Sequence, residues 1–133
     1  MRVIIVGAGI GGLTAALALH KVGIDVEVFD QARELAELGV GINLLPHATR
    51  ELAALGLLPA LDAAGIRTRE LIYTNRLGQV IWREPRGTDA GYNMPQVSIH
   101  RGKLHKVLLG AAERLGDGHI HTGCVLSGFE SPA

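Results

Sequence analysis

Three glycines and one aspartate are the residues of this chain whose types and spacing best fit a recognisable chemistry. Gly7, Gly9 and Gly12 stand as G-x-G-x-x-G within Val3-Ile4-Ile5-Val6-Gly7-Ala8-Gly9-Ile10-Gly11-Gly12-Leu13-Thr14-Ala15-Ala16, and Asp30 follows roughly 20 residues later. At that spacing the first glycine permits a tight bend, the second lets backbone approach a pyrophosphate, and the third lets a helix pack closely on the preceding strand. The first N–H groups of such a helix lack partners within it, so they face an anion. A carboxylate at Asp30 can accept hydrogen bonds from both hydroxyls of a ribose and would repel a 2′-phosphate, which argues against a 2′-phosphorylated dinucleotide at this position. A strand-end aspartate by itself is ordinary. Behind this glycine pattern it reads as the ribose-holding group of a dinucleotide-binding βαβ unit.

The elements that must position these residues follow from local pattern. Arg2 to Val6 is a continuous β-branched run, expected as a parallel strand in the middle of a sheet. A helix is expected from about Gly11 to Val22, ending near Gly23, with Leu13, Ala16, Leu17 and His20 at helical spacing. Ile24 to Asp30, with Val26, Val28 and Phe29, makes a second strand, and Gln31 to Leu38 a charged short helix or loop. In Gly39-Val40-Gly41 two glycines flank a valine, which permits close approach of backbone to a ligand. Pro46 opens a helix through Leu55, stopped by Gly56, with Ala48, Leu52 and Leu55 on one face, and Pro59 and Gly65 bracket a shorter one. Glu70 to Asn75 and Gln79 to Arg83 flank Arg76-Leu77-Gly78 as a hairpin, which a βαβ sheet does not need and which suggests a second, substrate-facing layer. Tyr73 and Trp82 fall on it as a cross-strand packing pair. Pro85 to Pro95 reads as loop, and Arg101 to Leu115 as a helix with Gly116 just past its end. His119 to Thr122 is expected as a third parallel strand beside the second, and Val125 to Phe129 as a further short strand.

Composition narrows the function classes. The chain has 133 residues, about one domain, and 47% hydrophobic residues, enough for a core. Thirteen basic residues balance 13 acidic ones, so no net field favours nucleic acid or an anionic membrane, and a small ligand is the better expectation. Glycines interrupt the apolar start, and no later window is apolar enough for a span, so neither export nor a membrane span is expected. Cys124 is the single cysteine; it excludes an internal disulfide, fits a reducing compartment and hence the cytoplasm, and is expected as a small packing residue. His20, His47 and His105 fall on helices while His119 and His121 alternate on a strand, and none of these spacings suits a metal site.

Several separated motifs, in order, carry a resemblance to a known family. Gly7-Ala8-Gly9-Ile10-Gly11-Gly12-Leu13, Leu38-Gly39-Val40-Gly41-Ile42-Asn43, Leu55-Gly56-Leu57, the hairpin with Glu84-Pro85-Arg86-Gly87, and Ser98-Ile99-His100-Arg101-Gly102-Lys103-Leu104 resemble the amino-terminal portion of single-component FAD-dependent aromatic hydroxylases, the phenazine-carboxylate monooxygenase type above all. The resemblance implies an α/β fold: a Rossmann-like βαβ FAD-binding domain over residues 1–133, incomplete, with the hairpin at about 70–83 on the substrate side. It implies an NAD(P)H-dependent flavoprotein monooxygenase that hydroxylates a small aromatic molecule through a flavin C4a-hydroperoxide, with FAD bound and NAD(P)H as transient reductant. The cofactor would carry the chemistry, so no catalytic side chain is expected.

Carried over residue by residue, the resemblance sets Gly9, Ile10, Gly11 and Gly12 around the pyrophosphate, with Gly7 making the bend of the same cofactor-binding turn. Asp30 and Gln31 would hold the adenosine ribose, where the family more often has glutamate. Val40 and Gly41 would pass near the flavin, Arg101 would reach FAD, and Val125 would approach the adenine. Family members also bring a later Asp-Gly segment, a Gly-Asp segment and most of a substrate sheet. The expectation is therefore a truncated ADP-binding half, whose open sheet edge could pair with another copy. Two alternatives stay open on the residues alone. One is the NAD-binding domain of a dehydrogenase, and the other a non-enzymatic remnant or interaction module.

Overall fold

The computed structural model describes residues 1–35, 39–116 and 118–130. The chain divides into two compact units, Met1–Glu37 with His105–Ala133, and Leu38–Leu104.

The first unit is a βαβ unit with a third strand. Strands β1 (Arg2–Val6), β2 (Asp25–Phe29) and, late in the chain, β8 (Ile120–His121) form a parallel sheet in the order β1-β2-β8. Val3 lies opposite Val26 and Ile5 opposite Val28, while Val28 faces Ile120 on the other side. The central strand is thus β2, whose Val26 and Val28 are fully buried. The expectation that β1 occupies the middle is corrected: among the described strands it pairs with β2 alone, and Ile4 and Val6 remain 64% and 55% exposed. Helix α1 (Ile10–Lys21) crosses between β1 and β2 and buries Leu13, Ala16 and Leu17, the i, i+3, i+4 set of its inward face. The expected third strand forms beside β2, shortened to two residues. The expected strand at Val125 to Phe129 does not form, and Thr122 to Glu130 is irregular and exposed throughout. Gly123 adopts φ +69°, and the backbone of Gly123 and Cys124 donates to the carbonyls of Ala32 and Asp30, both at 2.9 Å, so these bonds turn the chain off the strand path. Cys124 is an exposed free thiol, which corrects the packing role expected for it.

The second unit holds two antiparallel sheets. Strands β3 (Gly41–Leu44), β4 (Ile66–Thr68) and β7 (Gln96–His100) pair in the order β3-β7-β4, and β5 (Glu70–Thr74) with β6 (Val80–Pro85) forms the hairpin. Tyr73 lies opposite Trp82, as expected. The hairpin turn is closed by Asn75, whose Oδ1 accepts from the N–H groups of Leu77 and Gln79 at 2.9 and 3.1 Å. The segment between β6 and β7 is loop apart from one 3₁₀ turn at Gly87–Ala90.

Helix α2 (Pro46–Ala54) begins at proline as expected, but its buried positions are Thr49 and Leu52, with Ala48 and Leu55 only half-buried. A threonine can stand there because its Oγ1 donates to the carbonyl of Pro95 at 2.7 Å. Helix α3 (Leu58–Ala64) buries Leu61 and stops at Gly65. Asp62 on α3 accepts a two-pronged bond from Arg67 on β4, Nε at 2.7 Å and Nη2 at 2.6 Å, and this bond holds its carboxyl below the usual carboxylate range.

Helix α4 (Arg101–Glu113) follows β7 directly. It starts where it does because the His100 ring caps it, Nδ1 accepting from the Gly102 N–H at 3.1 Å. Among the described residues no helix is long and apolar enough to cross a membrane.

Candidate functional site

The glycine turn sits between β1 and α1, and two of its glycines are required by geometry. Gly7 leaves the strand at φ +103°, a conformation side chains disfavour, while its N–H donates to Phe29 O at 2.7 Å and so prolongs the β1-β2 pairing. A Cβ on Gly12 would overlap the Gly7 carbonyl oxygen and lie 3.3 Å from Ile5 Cγ2, so helix and strand are in backbone contact there. Gly9 and Gly11 are the converse: a Cβ on either would meet nothing within 4 Å. Gly9 is the N-cap of α1 and supplies no side-chain cap, so the first N–H groups of the helix are open. Open glycines ahead of an uncapped helix start fit a pyrophosphate.

Asp30 closes β2 and reaches back to the turn. Its Oδ2 accepts from the Ala8 N–H and its Oδ1 from the Ala32 N–H, both at 2.7 Å. Each carboxylate oxygen has a second lone pair, so these bonds leave acceptor capacity for ribose hydroxyls. The aspartate therefore has a structural task as well as the binding role expected of it, because it fixes the turn whose glycines stand ahead of it. Gln31, next in sequence, is exposed. Val125 is 73% exposed and lies one residue beyond the bond from Cys124 N–H to Asp30 O.

One residue in contact with the turn lies outside the expected set. His105 on α4 places Nε2 2.7 Å from the carbonyl oxygen of Ala8. Sequence reasoning places His105 on a helix and assigns it nothing further, and no local pattern pairs it with a residue 97 positions away.

The remaining expected residues belong to the Leu38–Leu104 unit. Gly39, at φ +135°, would bring a Cβ within 2.9 Å of Arg101 Cβ, so the bare glycine gives that arginine its room. Val40 is 73% exposed, and its carbonyl accepts the Arg101 N–H at 3.0 Å. Gly41 opens β3 with nothing within 4 Å of a Cβ, and Arg101 is exposed at the start of α4. Val40, Gly41 and Arg101 are thus neighbours, as Gly7, Gly9, Gly12 and Asp30 are in the other unit. Of Gln31 to Leu38, expected as a charged short helix or loop, the last three residues from Ala36 on lie outside the described residues.

A parallel βαβ unit with an open glycine turn, tied by the aspartate ending its second strand, defines a dinucleotide-binding half-fold. In agreement, residues 5–37 match the family model described as NAD(P)-binding Rossmann-like domain. Relatives then narrow the class. The chain is 52% identical over 130 residues to phenazine 1,6-dicarboxylic acid hydroxylase of Lysobacter antibioticus, covering 96% of this chain and 32% of that protein. It is 40% identical over 111 residues to 3-amino-4-hydroxybenzoate 2-monooxygenase of Streptomyces cremeus, covering 81% and 28%. Among solved structures, HpxO of Klebsiella pneumoniae complexed with FAD and uric acid superposes with a TM-score of 0.76 at 26% identity, over 92% of this chain and 31% of that one. In sequence and fold the chain is similar to one part of these hydroxylases and monooxygenases. It spans about a third of the length of the curated relatives it matches.

Proposed function

We propose that this chain holds the ADP end of FAD in a flavoprotein monooxygenase that takes NAD(P)H as transient reductant and a small aromatic molecule as substrate. The observation that carries the reading is the turn itself: Gly9 and Gly11 open, the start of α1 uncapped, and Asp30 bonded to Ala8 at its base. The relatives' names supply FAD and the aromatic ring. Bound FAD would supply redox chemistry and oxygen transfer. The chain's own residues bind and orient. Backbone N–H groups from Gly9 to Gly12 would hold the pyrophosphate, Asp30 with Gln31 would receive the adenosine ribose, Val125 would serve the adenine, and Val40, Gly41 and Arg101 would serve the flavin side.

In the Leu38–Leu104 unit a cavity of about 610 Å³ is lined in part by Arg50, Glu84, Arg86, Tyr92 and Met94, with Arg86 paired to Glu84 and Arg50 to Glu51, a mixture of polar and apolar groups that would take a small planar ring without supplying an unpaired cation for an acid group. The test is a titration of the purified chain with FAD, followed by visible absorbance and flavin fluorescence, with NADH titrated in parallel. Saturable FAD binding that ADP competes away is expected. Binding of NADH with no affinity for FAD would move the chain to the dehydrogenase reading, and binding of neither would refute the cofactor role.

A further inference from the structure

Ala8, the residue between the first two glycines of the turn, is held by side chains from two distant parts of the chain. Its N–H donates to Asp30 Oδ2 and its carbonyl oxygen meets His105 Nε2, each at 2.7 Å. Ala8 is 1% exposed, so neither backbone group has water as a substitute partner. No peptide bond of the described chain is cis. In a trans peptide the carbonyl of Ala8 and the N–H of Gly9 point in opposite directions. A bond that draws the Ala8 carbonyl to His105 therefore turns the Gly9 N–H the other way, and among the described residues that N–H donates to no protein acceptor. Glycine leaves the backbone free to adopt the flipped peptide as well, so the turn alone does not choose between offering an anion an N–H or a carbonyl.

We propose that His105 is a positioning residue for the dinucleotide turn: by donating from Nε2 to the Ala8 carbonyl it sets the Ala8–Gly9 peptide so that the Gly9 N–H faces the pyrophosphate. A carbonyl only accepts, so Nε2 carries the hydrogen. In the neutral ring Nδ1 is then bare, and it is buried without a hydrogen-bond partner. The role rests on the cofactor reading above, and it adds that one side chain far along the sequence decides the polarity of the anion cradle.

The test has two arms on the full chain. In the first, long-range ¹H–¹⁵N spectra of the unliganded protein identify the ring tautomer of His105. Protonation at Nε2 is expected, and the Nδ1-protonated tautomer overturns the proposal whether or not a cofactor binds. In the second, ADP and FAD binding are measured calorimetrically for wild type, His105→Gln and His105→Met, with adenosine as the ligand lacking phosphate and thermal midpoints recorded alongside. Gln offers an N–H near the position of Nε2, and Met has the same length without a donor. For ADP and FAD, His105→Met is expected to weaken binding about tenfold, the scale of one net hydrogen bond, while His105→Gln stays within about threefold of wild type. Adenosine binding is expected to be the same in all three.

Equal losses in both variants, equal losses for adenosine, or no loss in either variant would overturn the positioning role and leave the cofactor reading standing. A wild-type chain that binds neither ADP nor FAD would overturn both. Should His105→Met fail to fold, the tautomer and the behaviour of His105→Gln still decide.

Discussion

Replacing Gly12 by alanine sets two opposing effects against each other, and the structure decides which wins. Gly12 lies in the first turn of α1 without a positive φ, and alanine for glycine inside a helix normally stabilises by about 1 kcal/mol. Here the added Cβ would overlap the Gly7 carbonyl oxygen and sit 3.1 Å from the Gly7 carbonyl carbon. Both are backbone atoms, so no rotamer change relieves the overlap, and α1, whose Leu13, Ala16 and Leu17 are buried, must move away from the end of β1. Overpacking of a tight site costs about 1–3 kcal/mol, and contact with unyielding backbone puts this one at or above the top of that range. Subtracting the helix gain leaves Gly12→Ala destabilised by about 2 kcal/mol. At roughly 4 °C per kcal/mol for a chain of this size, the thermal midpoint falls by about 8 °C. Gly11→Ala is the control, since its Cβ meets nothing within 4 Å; its midpoint is expected to be unchanged or slightly raised. Thermal unfolding followed by circular dichroism reads both midpoints, and urea unfolding gives the free-energy difference. A Gly12→Ala midpoint equal to or above wild type would refute the close-contact argument.

Three further outcomes follow from named contacts. Asp30→Ala strips the partner from the Ala8 N–H at a 1% exposed residue, so urea unfolding should show a loss of about 2 kcal/mol, with Asp30→Asn losing less because one acceptor oxygen survives. A normal midpoint in Asp30→Ala would contradict the tie. The Asp62 carboxyl is held below its ordinary range chiefly by the hydrogen bond from Arg67, opposed by burial and aided by the arginine's charge. Its folded-state value lies below the unfolded one, so its contribution is present above the ordinary carboxylate range and is lost as pH falls through the folded value. Asp62→Asn should therefore flatten the acid limb of the stability profile, and the pair's exposure should make the difference shrink with added salt. Finally, Cys124 is exposed, so a thiol reagent should modify it in the native chain as fast as in urea without altering the circular dichroism spectrum. Protection of the thiol in the native chain would place it in a packed setting instead.

What was legible in the amino-acid sequence is what short spacings encode. The glycine turn, the strand before it, α1, β2 and the Asp30 that ends β2 follow from residues within about 30 positions of one another, where hydrophobic period and turn chemistry act directly. The hairpin and its Tyr73–Trp82 pair are equally local, and Asn75 closes the turn between them. The β3-β7-β4 sheet was not read in advance. Its strands are three to five residues long, too short for a period to declare itself, and β7 finds β3 across more than half the second unit. The inward place of Thr49 depends on one carbonyl, that of Pro95, which no helical pattern contains. Likewise β1 reads as a central strand from composition, yet strand order is a property of pairing, and its only described neighbour is β2.

The site shows the same division. The amino-acid sequence alone determined that a glycine turn and an aspartate would stand together, because the βαβ geometry between them is set within one local unit. Only the tertiary structure decided what holds the turn in one conformation, since Ala8 is gripped by Asp30 on one side and by His105, 97 residues away, on the other. A helical histidine carries no mark of the carbonyl it will meet. That bond exists because α4 meets the turn across most of the chain's length, and long-range closure of that kind leaves no trace in local spacing.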